Sequence, residues 1–506
     1  MAYIRTVKTA SGARAVQIVH SNRRGKKDIE HIGSAHTDED HELLLAAARQ
    51  RLTAGQGELD LGLDTAGQGG PLPITATRME HLIGAIERIY ADLGFAEAAG
   101  DDAVFYLLVL ARLIEPTSKL DSLRMIEETG LAPPAYRTVT RRLPRYADPE
   151  FRQGLAAALA ARADLGPAAL ILYDVSTLYF ETDEGDGFRE PGYSKERRID
   201  PQITIGLLTD ATGFPLMINA FEGNKGETKT IVPVIEAYRT AHNISDVTVV
   251  ADAGMFSYDN RQGIIDAGLS YILGARIPEV PYVIEQWMRA NPDTAPEDGQ
   301  IFTARTHTGP AGQRREHRIH YQYRAARARR TLRGIDAQVA KAEKAAAGNT
   351  TVKRNRFLTV TDQERAVNRE LEAKARALAG YKGYITNLPP EKASAEFVID
   401  AYHRLWQIEK SFRMSKHDLA ARPIYHRLQD SIEAHLSVVF AALAVARRLE
   451  ATTGWSLKKF ITTARRYKTI TIRAGDHDIT AADPLPEDLR HALDRIHRGQ
   501  PNDSAH

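Results

Sequence analysis

The sequence predicts an α/β protein with a mixed-sheet core, preceded by a small β-hairpin and a helical domain and interrupted by an insertion domain. Three observations carry this expectation. Between Thr75 and Tyr146 apolar residues recur at helical spacing, as in Met79, Leu82, Ile83, Ile86, Ile89 and Tyr90. From Ala169 the pattern changes to short continuous apolar runs, Ala169 to Tyr173 and Val247 to Ala251, of the kind buried on both faces of a sheet. Between Arg276 and Lys392 that rhythm is lost, and it gives way to two strongly periodic helices, Glu396 to Lys416 and Tyr425 to Glu450.

Taken in order, residues 1–54 alternate weakly from Tyr3 to Ile32 around Ser11-Gly12, which predicts the hairpin, and turn helical from Asp38 to Leu52. Residues 55–74, rich in Gly and holding Pro71 and Pro73, read as a linker. In the helical domain, 75–165, short helices broken at Gly130, Pro133 and Pro134 precede Tyr136-Arg-Thr-Val-Thr-Arg-Arg142. That pattern fits helix-turn-helix DNA binding, the expected role of this domain, with an oligomerisation module with a basic end as the alternative. Residues 166–275 form the first part of the core. There the strand ending at Asp174 precedes an antiparallel pair, Gln202 to Leu208 with Pro215 to Phe221, then helix, strand, helix and a strand at Tyr271 to Ala275. Residues 276–392 are the insertion, with strands expected at Ile301 to Thr303, His317 to Tyr323 and Arg356 to Val360 beside a basic helix. The core closes over 393–452, and 453–506 is a C-terminal tail region.

Composition narrows the function. Of 506 residues, 67 are Lys or Arg and 65 Asp or Glu, a net charge of +2, and none is Cys, which excludes disulfide frameworks, Cys-based zinc fingers and thiol chemistry. The best apolar runs, Ala103 to Ala111 and Leu436 to Ala446, fall short of the ~18 residues of a spanning helix, so no membrane partner is expected and a cytoplasmic location is. The neutral total hides the stretch Arg314 to Arg333, where eight arginines face the lone acid Glu316. Phosphate backbones are one partner for such density, and a solvated basic helix is the plainer reading.

Two acids, Asp174 and Asp252, each close an apolar strand, 78 positions apart (252 − 174). A strand-end aspartate is often only a turn or cap residue, but catalytic side chains also gather outside the carboxyl ends of strands. A third acid strengthens the pair. Tyr402, Glu409 and Lys416 are spaced by seven, almost two helical turns, and so share one face with Leu405 and Phe412 between them. Burial of that face would leave Glu409 in need of a partner or a metal; otherwise it pairs with Arg413 on an ordinary amphipathic helix. Trp406 is expected in the core, and His403, His417, His426 and His435 form no zinc-binding motif.

The block from Tyr402 through Glu409 and Arg413 to Lys416 resembles the Y-R-E-K signature of insertion-sequence DDE transposases, whose catalytic core is RNase H-like. Leu172-Tyr-Asp174-Val-Ser-Thr and Val250-Ala-Asp252-Ala-Gly254-Met resemble the two aspartate strands of that group, and Gly192-Tyr-Ser-Lys195-Glu-Arg another of its segments. The resemblance runs from about Ala169 to Glu450. It implies that Asp174, Asp252 and Glu409 are catalytic metal ligands for two Mg²⁺ ions, with Mn²⁺ able to substitute, and that Tyr402, Lys416, Arg413 and Arg404 contact DNA. One departure stands out: the signature's arginine position is Leu405, and Arg404 falls one residue early, about 100° round the helix. Trp287 would either stack on a base flipped from the DNA end or pack within the insertion. The implied activity is cutting of insertion-sequence ends and joining of 3′-hydroxyl ends to target DNA, by a homodimer holding two terminal inverted repeats in a bacterial cytoplasm, nucleoid-associated when bound. An RNase H-like nuclease without strand transfer, or a domesticated non-catalytic DNA-binding protein, are the alternatives.

Overall fold

The computed structural model describes residues 2–9, 12–21, 27–53, 72–163, 169–181, 184–192, 200–226, 229–242, 247–253, 258–292, 294–308, 315–348, 355–360, 365–422, 424, 426–474 and 477–499. Most of the expected linker, the motif after Gly192, Gly254 and Met255, Arg314, and the final residues lie outside the described residues.

Two compact units are present, Met1–Thr77 with Thr469–Ala482, and Arg78–Lys468 with Asp483–His506. In the first, β1 (Ala2–Lys8) and β2 (Arg14–Ser21) form the expected hairpin, and β3 (Lys27–Ala35) adds a third antiparallel strand. Helix α1 (Asp38–Thr53) covers them, packing Leu44, Leu45 and Ala48 on Val16 and Ile18. Strand β4 (Ile74–Arg78) belongs to a second small sheet described below.

The larger unit opens with helices α2 (Glu80–Asp92), α3 (Phe95–Ala98), α4 (Ala103–Ile114), α5 (Lys119–Glu128), α6 (Tyr136–Ala147) and α7 (Pro149–Arg162). Side chains start several of them: Asp102, Ser118 and Asp148 accept backbone N–H groups in the first turns of α4, α5 and α7. Asp102 does more. Its side chain, 2% exposed, also accepts hydrogen bonds from Arg142 (3.1 Å), Arg145 (3.4 Å) and the Tyr146 hydroxyl (3.2 Å), tying α6 to the start of α4.

The sheet follows. Its strands are β5 (Ala169–Tyr179), β6 (Gln202–Asp210) and β7 (Pro215–Glu222), then, after α8 (Ile231–His242), β8 (Val247–Ala251), and after α9 (Tyr258–Asp266), β9 (Ser270–Ala275). The expected insertion contributes α10 (Tyr282–Ala290), β10 (Ile301–Thr308), β11 (Arg315–Tyr323), α11 (Ala325–Ala346), a minor pair β12 (Leu358–Val360) and β13 (Arg365–Val367), and α12 (Arg369–Ala377), before β14 (Tyr381–Thr386). The eight-stranded order is β10-β11-β14-β9-β8-β5-β6-β7, so part of the insertion extends one edge of the main sheet. The arginine-rich stretch accordingly divides. Arg318 is buried on β11 and donates to the carbonyls of Leu388 and Ala393, whereas Arg324, Arg329, Arg330 and Arg333 are exposed.

Alternation along the strands sends side chains to both faces of the sheet. Ile171, Tyr173, Val249 and Tyr271 pack with α8, and Leu172, Val250 and Ile272 join the main core on the other side. That second face is covered by α13 (Ala395–His403), α14 (Leu405–Arg413) and α15 (Gln429–Thr453), and α15 packs also against α4 and α6. Helices α2 to α7 thus share one apolar core with α15 and the sheet. The C-terminal region holds regular structure: α16 (Leu457–Ala464), β15 (Thr469–Ala474), β16 (His477–Ala482) and α17 (Glu487–Arg498). Strands β15 and β16 complete the small sheet β16-β15-β4, and α17 packs on α15 and α2. No described helix is long and apolar enough to cross a membrane.

Asp102→Ala should cost about 2–3 kcal/mol, from the lost cap and the buried Tyr146 hydroxyl left without its acceptor. Denaturant unfolding of the whole chain measures this; a loss no larger than the roughly 0.5 kcal/mol of an ordinary surface change would show that Asp102 does not tie α6 to α4.

Candidate active site

Strands β5 and β8 are parallel neighbours, with Ala169 opposite Val247 and Leu172 opposite Val250. The register offset is therefore 78 (247 − 169), the same as the separation of Asp174 from Asp252, so the two aspartates stand at the same height of adjacent strands. Asp252 follows the last residue of β8, as expected. Asp174 does not close its strand. Strand β5 runs on to Tyr179 because β6 continues to pair with it up to Tyr179 opposite Gln202, and what ends near Asp174 is only the parallel ladder with β8.

The third acid arrives from a helix. The single helix expected from Glu396 to Lys416 is three segments: α13 ends at His403, α14 begins at Leu405, and Met414–Asp418 is a π-helical turn. Ser394 caps α13, accepting from Phe397 N–H at 3.1 Å, and the break at Arg404 lets α13 lie over β8, β9 and β14 while α14 lies over β5. The turn between β6 and β7 braces α14. Ser411 Oγ donates to the Gly213 carbonyl at 2.6 Å, and Arg447, on the long helix Gln429–Thr453, links the two by donating to the Thr212 carbonyl and to Gln407 Oε1 at 3.4 Å. Gly213 has φ +82°, and a Cβ there would lie 2.7 Å from the Gln407 carbonyl oxygen.

A cleft of about 310 Å³ is lined by Asp174, Asp252, Glu409, Tyr402 and Lys382, with Trp406 at its edge. Glu409 is exposed to this cleft and not buried, which corrects the expectation of a buried stripe on its helix: Tyr402 and Glu409 both line the cleft, but Tyr402 packs in the core and Glu409 stays open to the cleft. Tyr402 donates its hydroxyl to Asp252 Oδ1 at 2.6 Å, and Asp252 Oδ1 also accepts the Ala253 N–H at 2.8 Å. Burial, reinforced by the hydrogen bond and charge of Asp252, pushes the Tyr402 pKa up, so the phenol stays protonated and remains a donor. Gly274 on β9 makes room for it, since a Cβ there would come within 2.8 Å of the hydroxyl. Asp174 Oδ1 accepts the Val175 N–H at 2.8 Å. Among the described residues no group of three or more His, Asp or Glu side chains is gathered tightly enough to hold one ion together. The acids lining the cleft, beside the single imidazole of His403, are three carboxylates, the hard-oxygen chemistry that suits Mg²⁺ or Mn²⁺.

Lys382 is the residue that sequence reasoning missed. It lies on β14 with its ammonium 4.4 Å from the centre of the Tyr402 ring. Burial lowers its pKa, while the charges of Asp252 and Glu409 act to raise it. A lone lysine in the otherwise uncharged strand Tyr381–Thr386 was the available signal. Trp406 was expected in the core and is 57% exposed, because α14 turns its other side to the sheet. Arg404 and Arg413 are exposed and Lys416 lies in the π-helical turn, and none of the three lines the cleft. Trp287, on α10, packs edge-on against Phe302 at 5.8 Å in the apolar cluster around Ile284.

Gly213→Ala should destabilise the chain by about 1–3 kcal/mol, because an alanine at positive φ is strained and its methyl meets α14. Thermal unfolding checks this; an unchanged melting temperature would mean that the β6–β7 turn does not brace α14.

A family model described as a transposase DDE domain matches residues 166–445, which spans both aspartate strands, the insertion and the glutamate helix. No curated protein matches the chain as a relative. Among solved structures, the chain is similar to the piggyBac transposase of a synaptic complex with hairpin DNA, at 10% identity and a TM-score of 0.38, over 85% of each chain. With the match covering more than half of its 506 residues, the chain belongs to the transposase DDE-domain family.

Proposed function

We propose that the chain is a DNA transposase that cuts the ends of an insertion sequence and joins the freed 3′-hydroxyls to target DNA, with Asp174, Asp252 and Glu409 as its catalytic carboxylates. The observation that carries this reading is the convergence of the three acids on one cleft, two of them through a shared strand register. The order β7-β6-β5-β8-β9, with β6 alone running against the others, supports an RNase H-like core.

The three carboxylates would hold Mg²⁺ or Mn²⁺, which when bound supplies activation of the attacking oxygen and stabilisation of the leaving one. The chain's own side chains do the rest. Tyr402 fixes the orientation of Asp252 through its hydroxyl. Lys382 puts positive charge beside the acids, in a site whose signature arginine is replaced by Leu405, and so offsets their mutual repulsion. Arg404, Arg413 and Lys416, outside the cleft lining, would hold flanking DNA phosphates, and the exposed Trp406 would offer a stacking face. On α6, Arg137, Thr140 and Arg141 are exposed while Val139 and Leu143 face inward, which supports a DNA-contacting role for that helix. Two copies acting together would hold two ends, and the reaction belongs to a cytoplasm that contains DNA. A nuclease that stops after hydrolysis would use the same carboxylates, and a strand-transfer assay separates the two.

Asp174→Asn, Asp252→Asn and Glu409→Gln should each reduce cleavage of labelled end DNA to background while end binding is nearly unchanged. Native protein should cleave with Mg²⁺ or Mn²⁺, bind without turnover in Ca²⁺, whose looser and longer coordination misaligns the reacting oxygens, and be inert in EDTA. Near-native cleavage by any of the three variants, or full activity in EDTA, would overturn the assignment.

A further inference from the structure

A second cavity, of about 530 Å³, opens where the α4–α5 connection meets the chain following the π-helical turn and the side of α15. Arg112, Lys119, Arg422, His426 and His435 line it, with one carboxylate, Asp121, among the described lining residues. That carboxylate accepts the hydroxyl of Ser118, another lining residue, at 2.7 Å, and pairs with neither Arg112 nor Lys119. Arg112 is 7% exposed and Lys119 9% exposed, so both are cations taken out of water. Arg112 donates to the Thr117 carbonyl at 3.2 Å, and Lys119 Nζ lies against His426 Nε2; no described carboxylate pairs with either cation.

Buried charges normally bring an opposite charge with them, because desolvation is otherwise uncompensated. Here the strain is visible in the groups themselves. Burial, with Arg112 adding repulsion, pushes the Lys119 pKa down to about 7, and burial brings Arg112 down to about 10. The His426 pKa is pushed down to about 4 by burial and then by Lys119 and Arg112, which leaves its ring neutral near pH 7. Helix α5 adds the positive end of its dipole, since Lys119 is its first residue. An arginine fork, a lysine and a helix start around one half-open cavity form a receptor for a compact oxyanion.

We propose that this cavity is a phosphate-binding site, and that its occupant is a backbone phosphate of DNA held away from the carboxylate cleft. Only the choice of DNA as the source of the phosphate rests on the transposase reading. The anion would supply the counter-charge that Arg112 and Lys119 lack and would anchor the duplex at a point fixed jointly by α5 and α15.

The test has two arms on the full chain, both in EDTA so that the carboxylate site plays no part. In the first, thermal unfolding is followed as inorganic phosphate replaces chloride at constant ionic strength. Native protein should show a saturable rise in melting temperature, lost in Lys119→Met and retained in Lys119→Arg. Without phosphate, Lys119→Met should melt no lower than native, since it removes a repelled cation; a merely structural lysine would leave it less stable. In the second arm, affinity for an end duplex is measured against salt. Lys119→Met should weaken binding and make the slope of log affinity against log salt shallower by about one, the signature of one lost phosphate contact. Arg422→Gln, at the half-buried rim, should shift both arms in the same direction and covers the case in which Lys119→Met fails to fold. Equal melting temperatures in phosphate and chloride would overturn the site. Stabilisation by phosphate with an unchanged DNA salt slope would overturn the DNA assignment and leave free phosphate as the ligand.

Discussion

The parallel register between β5 and β8 is the constraint on which the site depends. Two strands from distant parts of the chain pair so that Leu172 lies opposite Val250, and two residues further on each carries an aspartate. A slip of one residue would not merely misalign the pair; it would turn one aspartate to the opposite face of the sheet. Burial on both faces prevents that slip. Tyr173 and Val249 are locked among the residues packed by α8, and Leu172 and Val250 in the main core.

The remaining components are held against that fixed pair. Helices α13 and α14 approach it over different strands, and the break between them lets Tyr402 reach Asp252 while Glu409 faces the cleft. On this face Gly274 gives Tyr402 its clearance, and the β6–β7 turn meets α14 through Ser411. Long helix α15 closes this face and joins it to α4 and α6, so the helices before the sheet share a core with the site they precede.

Much of this was legible in the sequence, because continuous apolar runs such as Val247 to Ala251 can satisfy their surroundings only as buried strands. The three acids were legible for a related reason, each being a charge set against an apolar pattern. The break at Arg404 was not, since a seven-residue spacing reads the same whether or not the helix is interrupted by one residue. Lys382 was hidden because β14 joins β9 only through tertiary pairing after a long intervening segment. The cationic cavity was hidden still further, since Lys119 and His426 meet across 307 positions of sequence.

The proposed metal site, shared by three segments of the chain, can be read without DNA. Fe²⁺ substituted for Mg²⁺ generates hydroxyl radicals with ascorbate and peroxide that cut the polypeptide beside the bound ion. Mapping the fragments should reveal cuts clustered near residues 174, 252 and 409, all suppressed by excess Mg²⁺ and all lost together in Asp252→Asn. Cuts confined to one of these segments, or persisting at the others when Asp252 is changed, would contradict a shared site.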